Sequence, residues 1–450
     1  MPPNRLLPRS IALLFVILAP AHAAPTPSGA WTLVHIPDTQ NYVASATLTD
    51  IVAQQMQWIA GQAPARRIRF AVQVGDLVDD NTATQWDRIR DALAPLNGTV
   101  PYALCTGNHD CGPGGNGTTR LTLFTSPQYF GPGSPYASQT TLKGFATPDS
   151  ETGNTQNSWH AFRVGKVDYL VLTTEWGPRD SVMTWMENIL ATHPHHRAII
   201  VAHAYLENAT RRFDWNQSQS GMNPKAMLPN PSDVNDGEDI WQKIASRHQN
   251  VCLVCCGHTS TGYLLSVGNH GQKVHQMLFD TQNRPSGGEG WLRLIEFWPD
   301  DRTVTVQTYS TLLNDWDEAD DARFTFALSP VSTGDSDADG LPDYFEARHG
   351  IADPDADSDG DGASNMDEYF ARTDPKSAAS VLQITRFDPA ASTLAWSSVP
   401  GVTYRVESSP SLAPNQWSTV VEKTAGAPVT ETTLTASGGR RFFRVIALGE

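Results

Sequence analysis

The sequence has few cysteines, no excess of basic residues and no apolar run long enough to cross a membrane. It contains 32 lysines and arginines against 48 aspartates and glutamates, a formal net charge of -16, so a nucleic-acid backbone is not expected as the main partner. A membrane-spanning helix needs roughly 18 or more apolar residues, so no transmembrane segment is expected. With 450 residues and 40% hydrophobic content, two or three globular domains are expected instead.

The five cysteines are too few to hold a fold together by disulfides. They are Cys105, Cys111, Cys252, Cys255 and Cys256. Cys105 and Cys111 bracket a polar loop, so a disulfide between them is one alternative. The favoured alternative is that all five are small apolar residues in or beside strands.

The N-terminus has the pattern of a cleaved export signal. Arg5 and Arg9 precede an apolar run at residues 11–18, and a small-x-small cleavage pattern, A-H-A, ends at Ala23. We therefore predict a signal peptide at residues 1–23 and an exported protein that is secreted, periplasmic or held at the cell surface.

Short apolar runs alternate with segments of helical spacing, which is typical of an α/β fold. Strands are predicted at residues 31–36, 68–74, 100–104, 158–164, 166–173, 197–202, 251–256, 273–280, 290–298 and 302–309. Helices are predicted at residues 50–61, 86–96, 181–192 and 240–248, with Gly61 as the stop signal of the first. The polar segment 112–157 is predicted to be a loop that covers a substrate cleft, lined by core or stacking aromatics such as Trp159, Trp176 and Trp215.

Five of the apolar strands end at a candidate metal ligand. These residues are Asp38, Asp76, Asn108, His203 and His258. The carboxyl ends of strands in open α/β sheets form a crevice where ligands collect. Carboxylate and amide oxygens suit hard cations, and imidazole suits Zn, Mn or Fe. Taken singly, a histidine after a strand or an aspartate in a turn is more often structural, so the hypothesis of a metal site depends on the set.

In this order the residues resemble the motifs of the calcineurin-like metallophosphoesterase superfamily, which run D-x-H, G-D, G-N-H-D/E, H and G-H-x-H. The similarity covers residues 31–328 and includes the runs PDTQNY at 37–42 and DTQNRPSGG at 280–288, as in a secreted bacterial D-T-Q branch. The resemblance implies a four-layer α/β/β/α sandwich, α/β or α+β in class. It also implies a metal-dependent hydrolase of phosphomonoesters or phosphodiesters.

The resemblance further implies a metal site of one or two divalent ions, drawn from Mn, Fe, Zn and Mg. Asp76 would bridge the two ions, which would activate a water to a hydroxide that attacks the phosphorus. Asp38 and Gln40 would bind the first ion. The second ion would be bound by Asn108, His203 and His258.

By the same resemblance, His109 is the general acid, as an imidazolium held by a carboxylate. Asp79 is placed for that carboxylate by the likeness of the run G-D-L-V-D to serine/threonine phosphatases, and Asp110 is the competing candidate. Arg284 is predicted to contact the phosphate of the substrate. The alternative is that Arg284 is a turn residue that makes a salt bridge.

Two positions depart from the family pattern, and both concern the first ion. Gln40 stands where D-x-H has histidine, and Ser260 stands where G-H-x-H has its second histidine. We therefore expect the first site to bind metal weakly, or to be completed by water, by Gln282 or by His275.

Two acidic loops follow, with oxygen-bearing residues at the spacing of a calcium loop and glycine at the sixth position. The predicted calcium ligands are Asp335, Asp337, Asp339, Asp343 and Glu346 in the first loop and Asp357, Asp359, Asp361, Asn365 and Glu368 in the second. The region resembles bacterial thrombospondin type 3 repeats, which favours a calcium-filled spacer. An acidic linker without an ion and a docking role like that of dockerins are the alternatives.

Alternating runs after residue 381 predict a small C-terminal β-sandwich, a candidate for contact with a cell surface or matrix. The predicted domains are a signal peptide (1–23), a metallophosphoesterase domain (24–330), calcium-binding repeats (331–378) and the β-sandwich (379–450). The predicted function is an exported metal-dependent phosphoesterase. The alternative, motivated by Ser260, is a calcium-dependent surface or adhesion protein with a catalytically weakened phosphoesterase-like domain.

Overall fold

The structure is a computed structural model. It describes residues 29–148, 151, 154–165, 167–329, 335, 337, 339–342, 345–346, 349–399, 402–413, 416–425, 428–434 and 441–448. The predicted signal peptide at residues 1–23 and the predicted calcium ligand Asp343 lie outside the described residues.

Residues 31–327 form a two-sheet unit. Its strands are β1 (Trp31–Ile36), β2 (Ile68–Gln73), β3 (Tyr102–Leu104), β4 (Leu142–Phe145), β5 (Ser158–Val164), β6 (Val167–Thr173), β7 (Arg197–Val201), β8 (Leu206–Asn208), β9 (Arg211–Arg212), β10 (Val251–Cys256), β11 (Thr261–Val267), β12 (Lys273–Phe279), β13 (Trp291–Phe297), β14 (Thr303–Ser310), β15 (Asp315–Asp317) and β16 (Phe324–Ala327). Its helices are α1 (Gln40–Ala44), α2 (Thr49–Arg66), α3 (Ala83–Leu93), α4 (Asp180–Thr192), α5 (Pro224–Met227), α6 (Gly237–Ile240) and α7 (Pro285–Gly288).

The first sheet has the order β15-β14-β13-β1-β2-β3, with β16 also paired to β14, and the second has the order β11-β12-β10-β7-β6-β5-β4. The centre of each sheet is parallel: β1, β2 and β3 in the first, and β6, β7, β10 and β12 in the second. Antiparallel strands flank both centres. Each sheet therefore has an edge at which several carboxyl ends meet.

Successive residues of a strand point to opposite faces, which explains the layers. On β1, Leu33 lies in the apolar core between the two sheets, whereas Val34 and Ile36 pack with α2 and α3. On β6, Val171 lies in the core between the sheets and Leu172 packs with α4. The order helix, sheet, sheet, helix confirms the predicted four-layer α/β/β/α sandwich.

The predicted stop of the first long helix at Gly61 is wrong. Helix α2 continues to Arg66, and Arg67, with φ 49°, ends it by donating its N–H to the carbonyl of Ala63. Gly61 is exposed and Ile59 is fully buried, so packing of the apolar face outweighs the low helix propensity of one glycine.

The described part of the insertion at residues 112–157 is largely without regular structure, as predicted, and its covering of a substrate cleft stays a prediction. Its aromatic residues Phe124, Phe130 and Tyr136 are buried in the core around α2 and α3, where Phe124 contacts Trp86 edge to face at 5.9 Å. This part of the insertion is therefore held against the helical side of the first sheet.

Among its described residues, the C-terminal region includes a short helix and two small sheets. They are formed by α8 (Asn365–Ala371), β17 (Ile384–Asp388), β18 (Thr393–Ser397), β19 (Thr403–Ser409), β20 (Ser418–Thr424), β21 (Val429–Thr433) and β22 (Phe442–Leu448). The sheets have the orders β17-β18-β21 and β20-β19-β22 and share an apolar core around Trp396 and Tyr404. Helix α8 contacts the two-sheet unit through Tyr369, whose ring centroid lies 4.1 Å from the guanidinium carbon of Arg163.

All five cysteines are buried free thiols, so the alternative of a Cys105–Cys111 disulfide is excluded and the favoured alternative holds. Burial raises the pKa of each of these thiols. The helices of the described residues include none with the length and apolar character to cross a bilayer.

Candidate metal centre

The two sheets bring their carboxyl ends to one place. In the first sheet, Ile36 of β1 pairs with Gln73 of β2, so the loops that begin at Asp38 and Asp76 are neighbours. The N–H of Thr39 donates to the carbonyl of Asp76 at 3.0 Å and fixes the two loops together. Across the sheets, the N–H of His258 donates to Oδ2 of Asp38 at 2.9 Å. The strand ends predicted to carry ligands therefore meet at the junction of the two sheets.

Three buried side chains form a cluster that can hold a cation. The ligand atoms of Asp76, His203 and His258 all lie within 4.8 Å of one another. Nε2 of His203 is 3.2 Å from Oδ2 of Asp76 and 3.3 Å from Oδ1 of Asn108. The structure thus brings together the residues predicted for the second ion with the predicted bridging aspartate.

Backbone carbonyls fix the tautomers of the two histidines. Nδ1 of His203 lies 2.8 Å from the carbonyl of Val74, and Nε2 of His258 lies 2.9 Å from the carbonyl of Met222. A carbonyl oxygen only accepts, so each of these nitrogens carries a hydrogen. The opposite nitrogen of each ring, Nδ1 of His258 and Nε2 of His203, is the one that would face a cation, and Nε2 of His203 lies beside the oxygens of Asp76 and Asn108. Such orientation by carbonyls is usual for histidines that ligate metals.

The electrostatics agree with a site for a cation. Burial, together with the neighbouring His203, lowers the pKa of His258 to about 3, so its imidazole is neutral, as ligation requires. Burial alone would raise the pKa of Asp76, but His203 keeps it below its ordinary value. Asp76 is therefore an anionic carboxylate, and its contact with His203 raises the pKa of that imidazole against the lowering effect of burial. A divalent cation, which suits a carboxylate with two imidazoles, would take the place of the proton between Asp76 and His203.

Glycines precede the ligands because side chains would not fit there. A Cβ at Gly107 would lie 2.2 Å from Oδ1 of Asp76, and a Cβ at Gly257 would lie 2.0 Å from Oδ1 of Asp38. Gly75 has φ 99°, and a Cβ there would lie 2.6 Å from Nδ1 of His203. The glycines of the three motifs thus allow the backbone to approach the carboxylates and the imidazole closely.

The predicted first ligands carry buried oxygens without partners. Oδ1 of Asp38 and Oε1 of Gln40 make no hydrogen bond among the described residues. Burial, and the nearby carboxylates of Asp280 and Asp76, raise the pKa of Asp38 well above its ordinary value. Unpaired buried oxygens and crowded carboxylates are features that a bound cation would satisfy.

Asp280 is a buried acid that the sequence reasoning did not assign to the site. It directly follows β12, so it shows the same pattern of an apolar strand that ends at a polar residue as the five predicted ligands. That pattern was the available signal. Burial raises the pKa of Asp280 to about 6, against the hydrogen bonds that Gln282 donates to it.

His109 pairs with Asp79 and not with Asp110. Nδ1 of His109 lies 3.2 Å from Oδ1 of Asp79 and 3.0 Å from the carbonyl of the same residue. Asp110 instead accepts from the N–H groups of Gly107 at 2.8 Å and Val78 at 3.0 Å, and burial raises its pKa to about 8. Asp110 therefore braces the loop, and Asp79 is the carboxylate in contact with His109.

Arg284 makes the salt bridge that was the alternative to phosphate binding. Its Nη2 lies 3.4 Å from Oδ2 of Asp317, and its guanidinium carbon lies 5.2 Å from the ring centroid of Trp291. The side chain is about two-fifths exposed, and a phosphate contact stays a prediction.

His275 does not complete the first metal position. It lies within β12, its Nδ1 is 2.7 Å from the hydroxyl of Tyr263, and its ring stacks on Phe326. At about 3.3 Å per residue, it is roughly 16 Å along the strand from Asp280. The expectation that His275 fills the gap is therefore wrong.

Of the three tryptophans considered for the cleft, Trp176 adjoins the cluster. It is fully buried, and its ring centroid lies 5.9 Å from that of His203 and 5.6 Å from that of His258. The ring centroids of Trp159 and His193 lie 4.9 Å apart. The backbone N–H of Trp215 donates to Oδ2 of Asp236. Trp176 is thus an apolar wall behind the histidines, not an open stacking surface.

The acidic loops gather carboxylates as their spacing predicts. The carboxylates of Asp335, Asp337 and Asp339 lie within 4.8 Å of one another, as do those of Asp357, Asp359 and Asp361. The sixth-position glycines, Gly340 and Gly362, both have φ 97°. In the second loop, four buried oxygens have no hydrogen-bond partner in the described part of the chain: Oδ2 of Asp359, Oδ2 of Asp361, Oδ1 of Asn365 and Oε2 of Glu368.

Comparisons with known proteins agree with this geometry. A family model described as calcineurin-like phosphoesterase matches residues 32–262, and one described as bacterial TSP3 repeat matches residues 357–378. The uncharacterized protein YvnB of Bacillus subtilis (strain 168) is 29% identical over 299 residues, which is 63% of this chain and 20% of YvnB. The chain thus spans about a fifth of the length of the curated relative that it matches.

Solved structures with a similar fold include three proteins of low sequence identity. Purple acid phosphatase PPD1 from yellow lupin (Lupinus luteus) is 15% identical, with a TM-score of 0.40 over 68% of this chain and 55% of that one. GAP50, the anchor in the inner membrane complex of Plasmodium, is 9% identical, with a TM-score of 0.38 over 67% and 89% of the two chains. Haemophilus influenzae NAD nucleotidase (NadN) is 11% identical, with a TM-score of 0.34 over 64% and 53%. The family model matches about half of the sequence, and on that match the chain belongs to the calcineurin-like phosphoesterase family.

Proposed function

We propose that the chain is an exported, metal-dependent phosphoesterase that hydrolyses phosphomonoesters or phosphodiesters with His109 as the general acid. The observation that carries the proposal is the buried cluster of Asp76, His203 and His258 directly beside the pair of His109 and Asp79. Membership of the phosphoesterase family supports the class of reaction. The predicted signal peptide supports export.

The residues that would hold divalent ions divide into two groups that share Asp76. Asp38 and Gln40 would hold the first ion, and Asn108, His203 and His258 would hold the second. Ions of the kind that such ligands bind, Mn, Fe, Zn or Mg, polarise phosphoryl oxygens and make water nucleophilic at neutral pH.

His109 would donate the proton to the leaving group. Its Nδ1 is engaged by Asp79, so Nε2 is the nitrogen left to give a proton to the leaving oxygen. The backbone N–H of His109 also donates to Oδ1 of Asp76 at 2.9 Å, which holds His109 beside the proposed metal ligands. Because its side chain is one-third exposed, His109 can reach a substrate that enters from solvent.

The C-terminal region would serve as a spacer and a contact surface. The bacterial TSP3 match and the unpaired oxygens of the second loop support calcium binding there. We propose that calcium stiffens residues 331–378 and that the β-sandwich at 379–450 contacts a cell surface or matrix.

The test is hydrolysis of bis-p-nitrophenyl phosphate and p-nitrophenyl phosphate with added Mn²⁺. We expect turnover by the wild-type protein and a loss of about 10²-fold or more in His109→Ala, in keeping with the contribution of a general acid. Asn108→Ala should lose activity through weaker metal binding. His270→Ala is the matched control, since this histidine bonds to the carbonyl of Arg247 on an exposed turn.

Wild-type activity no higher than that of the His109 and Asn108 variants would contradict the proposal. That result would favour the alternative of a calcium-dependent surface or adhesion protein, for which Ser260 in place of a histidine is the motivating observation.

A further inference from the structure

The first metal position lacks both histidines of the family pattern, yet it is not short of ligand atoms. Gln40 and Ser260 occupy the two histidine positions. We propose that Asp280 supplies the missing ligand, so that the first position is an all-oxygen site for a hard divalent cation such as Mn²⁺ or Mg²⁺. The inference rests on the proposed function, because it assumes that the cluster binds metal.

Strand pairing puts Asp280 beside Ser260. Strand β11 runs antiparallel to β12, with Thr261 opposite Phe279. The N–H of Asp280 donates to the carbonyl of Ser260 at 2.9 Å, and Oγ1 of Thr261 donates to the carbonyl of Asp280 at 3.2 Å. Residues directly opposite in an antiparallel pair have Cβ atoms about 4.5–5.5 Å apart on the same face. The carboxylate of Asp280 therefore lies next to the position where the family has its histidine.

The carboxylate of Asp280 is held in place by its own loop. Its Oδ1 accepts from the N–H of Gln282 at 2.8 Å and its Oδ2 accepts from Nε2 of Gln282 at 2.9 Å. A carboxylate oxygen has two lone pairs, so each oxygen retains one for a cation. The carbonyl of Gln282 in turn accepts from Nδ2 of Asn41 at 2.8 Å, which links the D-T-Q-N run at 280–283 to the D-T-Q-N run at 38–41. The two runs form one structural unit around the first position.

Unsatisfied oxygens point independently to a cation at this place. Oδ1 of Asp38 and Oε1 of Gln40 are buried and have no hydrogen-bond partner among the described residues. Asp38, Asp76 and Asp280 add three carboxylates, each at most 6% exposed. Buried carboxylates are ordinarily paired with a cation or coordinate a metal.

The proposed ligand sets predict that the two metal positions differ in chemistry. Asp38, Gln40, Asp76 and Asp280 offer oxygen alone, which suits Mn²⁺ or Mg²⁺. The second position adds two imidazoles, which suit Zn, Fe or Mn. The first ion should therefore exchange without displacing the second.

The experiment counts bound Mn²⁺ per chain by equilibrium dialysis and metal analysis in wild type, Asp280→Asn and Ser260→Ala. The acidic loops are the same in all three proteins, so any Mn²⁺ bound there cancels in the differences. We expect Asp280→Asn to retain one Mn²⁺ fewer than wild type and Ser260→Ala to retain as many. An unchanged count in Asp280→Asn, or an equal loss in Ser260→Ala, would overturn the inference.

Two further measurements keep the test decisive if Asp280→Asn is poorly folded. Mn²⁺ should raise the thermal unfolding midpoint of Asp280→Asn less than that of wild type. Ser260→His, which leaves Asp280 in place, should increase Zn²⁺ binding relative to Mn²⁺ binding by at least about 10-fold, since it adds an imidazole to the same position. An unchanged Zn²⁺ to Mn²⁺ ratio in Ser260→His would count against the inference.

The outcomes separate the inference from the proposed function. A wild-type protein that hydrolyses phosphoesters while Asp280→Asn binds as much Mn²⁺ as wild type contradicts the inference alone. A wild-type protein without turnover, in which Asp280→Asn still binds one ion fewer, contradicts the proposed function and leaves the ligand assignment intact.

Discussion

Gly107→Ala should disrupt the metal centre although it replaces none of the proposed ligand residues. The added Cβ would lie 2.2 Å from Oδ1 of Asp76 and 2.6 Å from Nε2 of His203. Nonbonded carbon contacts are optimal at about 3.5 Å, so the carboxylate and the imidazole must each move by roughly 1 Å. Metal–ligand distances tolerate only about 0.2 Å, so both side chains would leave the geometry that a cation needs.

The size of the effect follows from that displacement. Disturbing the groups that orient metal ligands lowers metal affinity by about 10- to 100-fold. A misplacement of 1 Å in a catalytic site lowers turnover by about 100-fold. Overpacking of a rigid site also lowers the free energy of unfolding by about 1–3 kcal/mol, so the variant should fold with reduced stability.

The assay compares Mn²⁺ affinity and bis-p-nitrophenyl phosphate turnover in wild type, Gly107→Ala and a control, Gly61→Ala. Gly61 lies within α2, and a Cβ there would meet nothing within 4 Å. The control should keep wild-type activity and gain about 0.5–1 kcal/mol of stability from the better helix former. A Gly107→Ala protein with wild-type Mn²⁺ affinity and wild-type turnover would refute the assignment of Asp76 and His203 to the metal centre.

Three further predictions concern the acid, the core and the calcium loops. His109→Ala should lose more activity on phenyl phosphate than on p-nitrophenyl phosphate, because a poor leaving group depends more on a general acid; an equal loss in steady-state kinetics would argue against that role. Burial lowers the pKa of His160 to about 3, so between about pH 6.5 and about pH 3 this histidine binds a proton in the unfolded chain but not in the folded protein. Within that range the free energy of unfolding should fall by about 1.4 kcal/mol per pH unit as the pH drops. Urea unfolding of His160→Gln should show a smaller pH slope than wild type, and an unchanged slope would contradict this origin. Burial, with Asp359 and Asp361 nearby, raises the pKa of Glu368 to about 7. Calorimetry should therefore show proton release on calcium binding, and calcium should bind more weakly at about pH 6 than at about pH 8. Glu368→Gln should reduce this pH dependence.

The layers and the clustering of polar residues at the strand ends could be predicted because they depend on local patterns. The predicted strands at residues 31–36 and 251–256 match β1 and β10 residue for residue, since a strand buried on both faces is mostly apolar. Polar residues just past such strands, such as Asp76 and His203, are conspicuous for the same reason. The common edge of parallel strands then brings them together without further information.

Other features depend on contacts between distant parts of the chain. Strand β11 was not predicted, because Thr261–Val267 contains a glycine and is half exposed, so its pattern is weak. Because β11 was not predicted, the strand register that places Asp280 opposite Ser260 could not be predicted either. Asp79 was predicted as the partner of His109 from a resemblance, with Asp110 as the competitor. The contact of Asp79 with Nδ1 of His109, and the burial of Asp110 against the N–H groups of its own and a neighbouring loop, separate the two.

The metal centre is divided between the two sheets, so its ions should also stabilise the fold. Asp38 and Asp76 extend from the first sheet, whereas His203, His258 and Asp280 extend from the second. The hydrogen bond from His258 to Asp38 draws the two edges together, but the three buried carboxylates repel one another at the same junction. A cation removes that repulsion only in the folded state, so it stabilises the protein by RT ln(1 + [M]/Kd), about 2.7 kcal/mol at a hundredfold excess over Kd. Metal affinity and the packing of the two sheets are therefore linked, and a substitution that weakens either one should weaken the other.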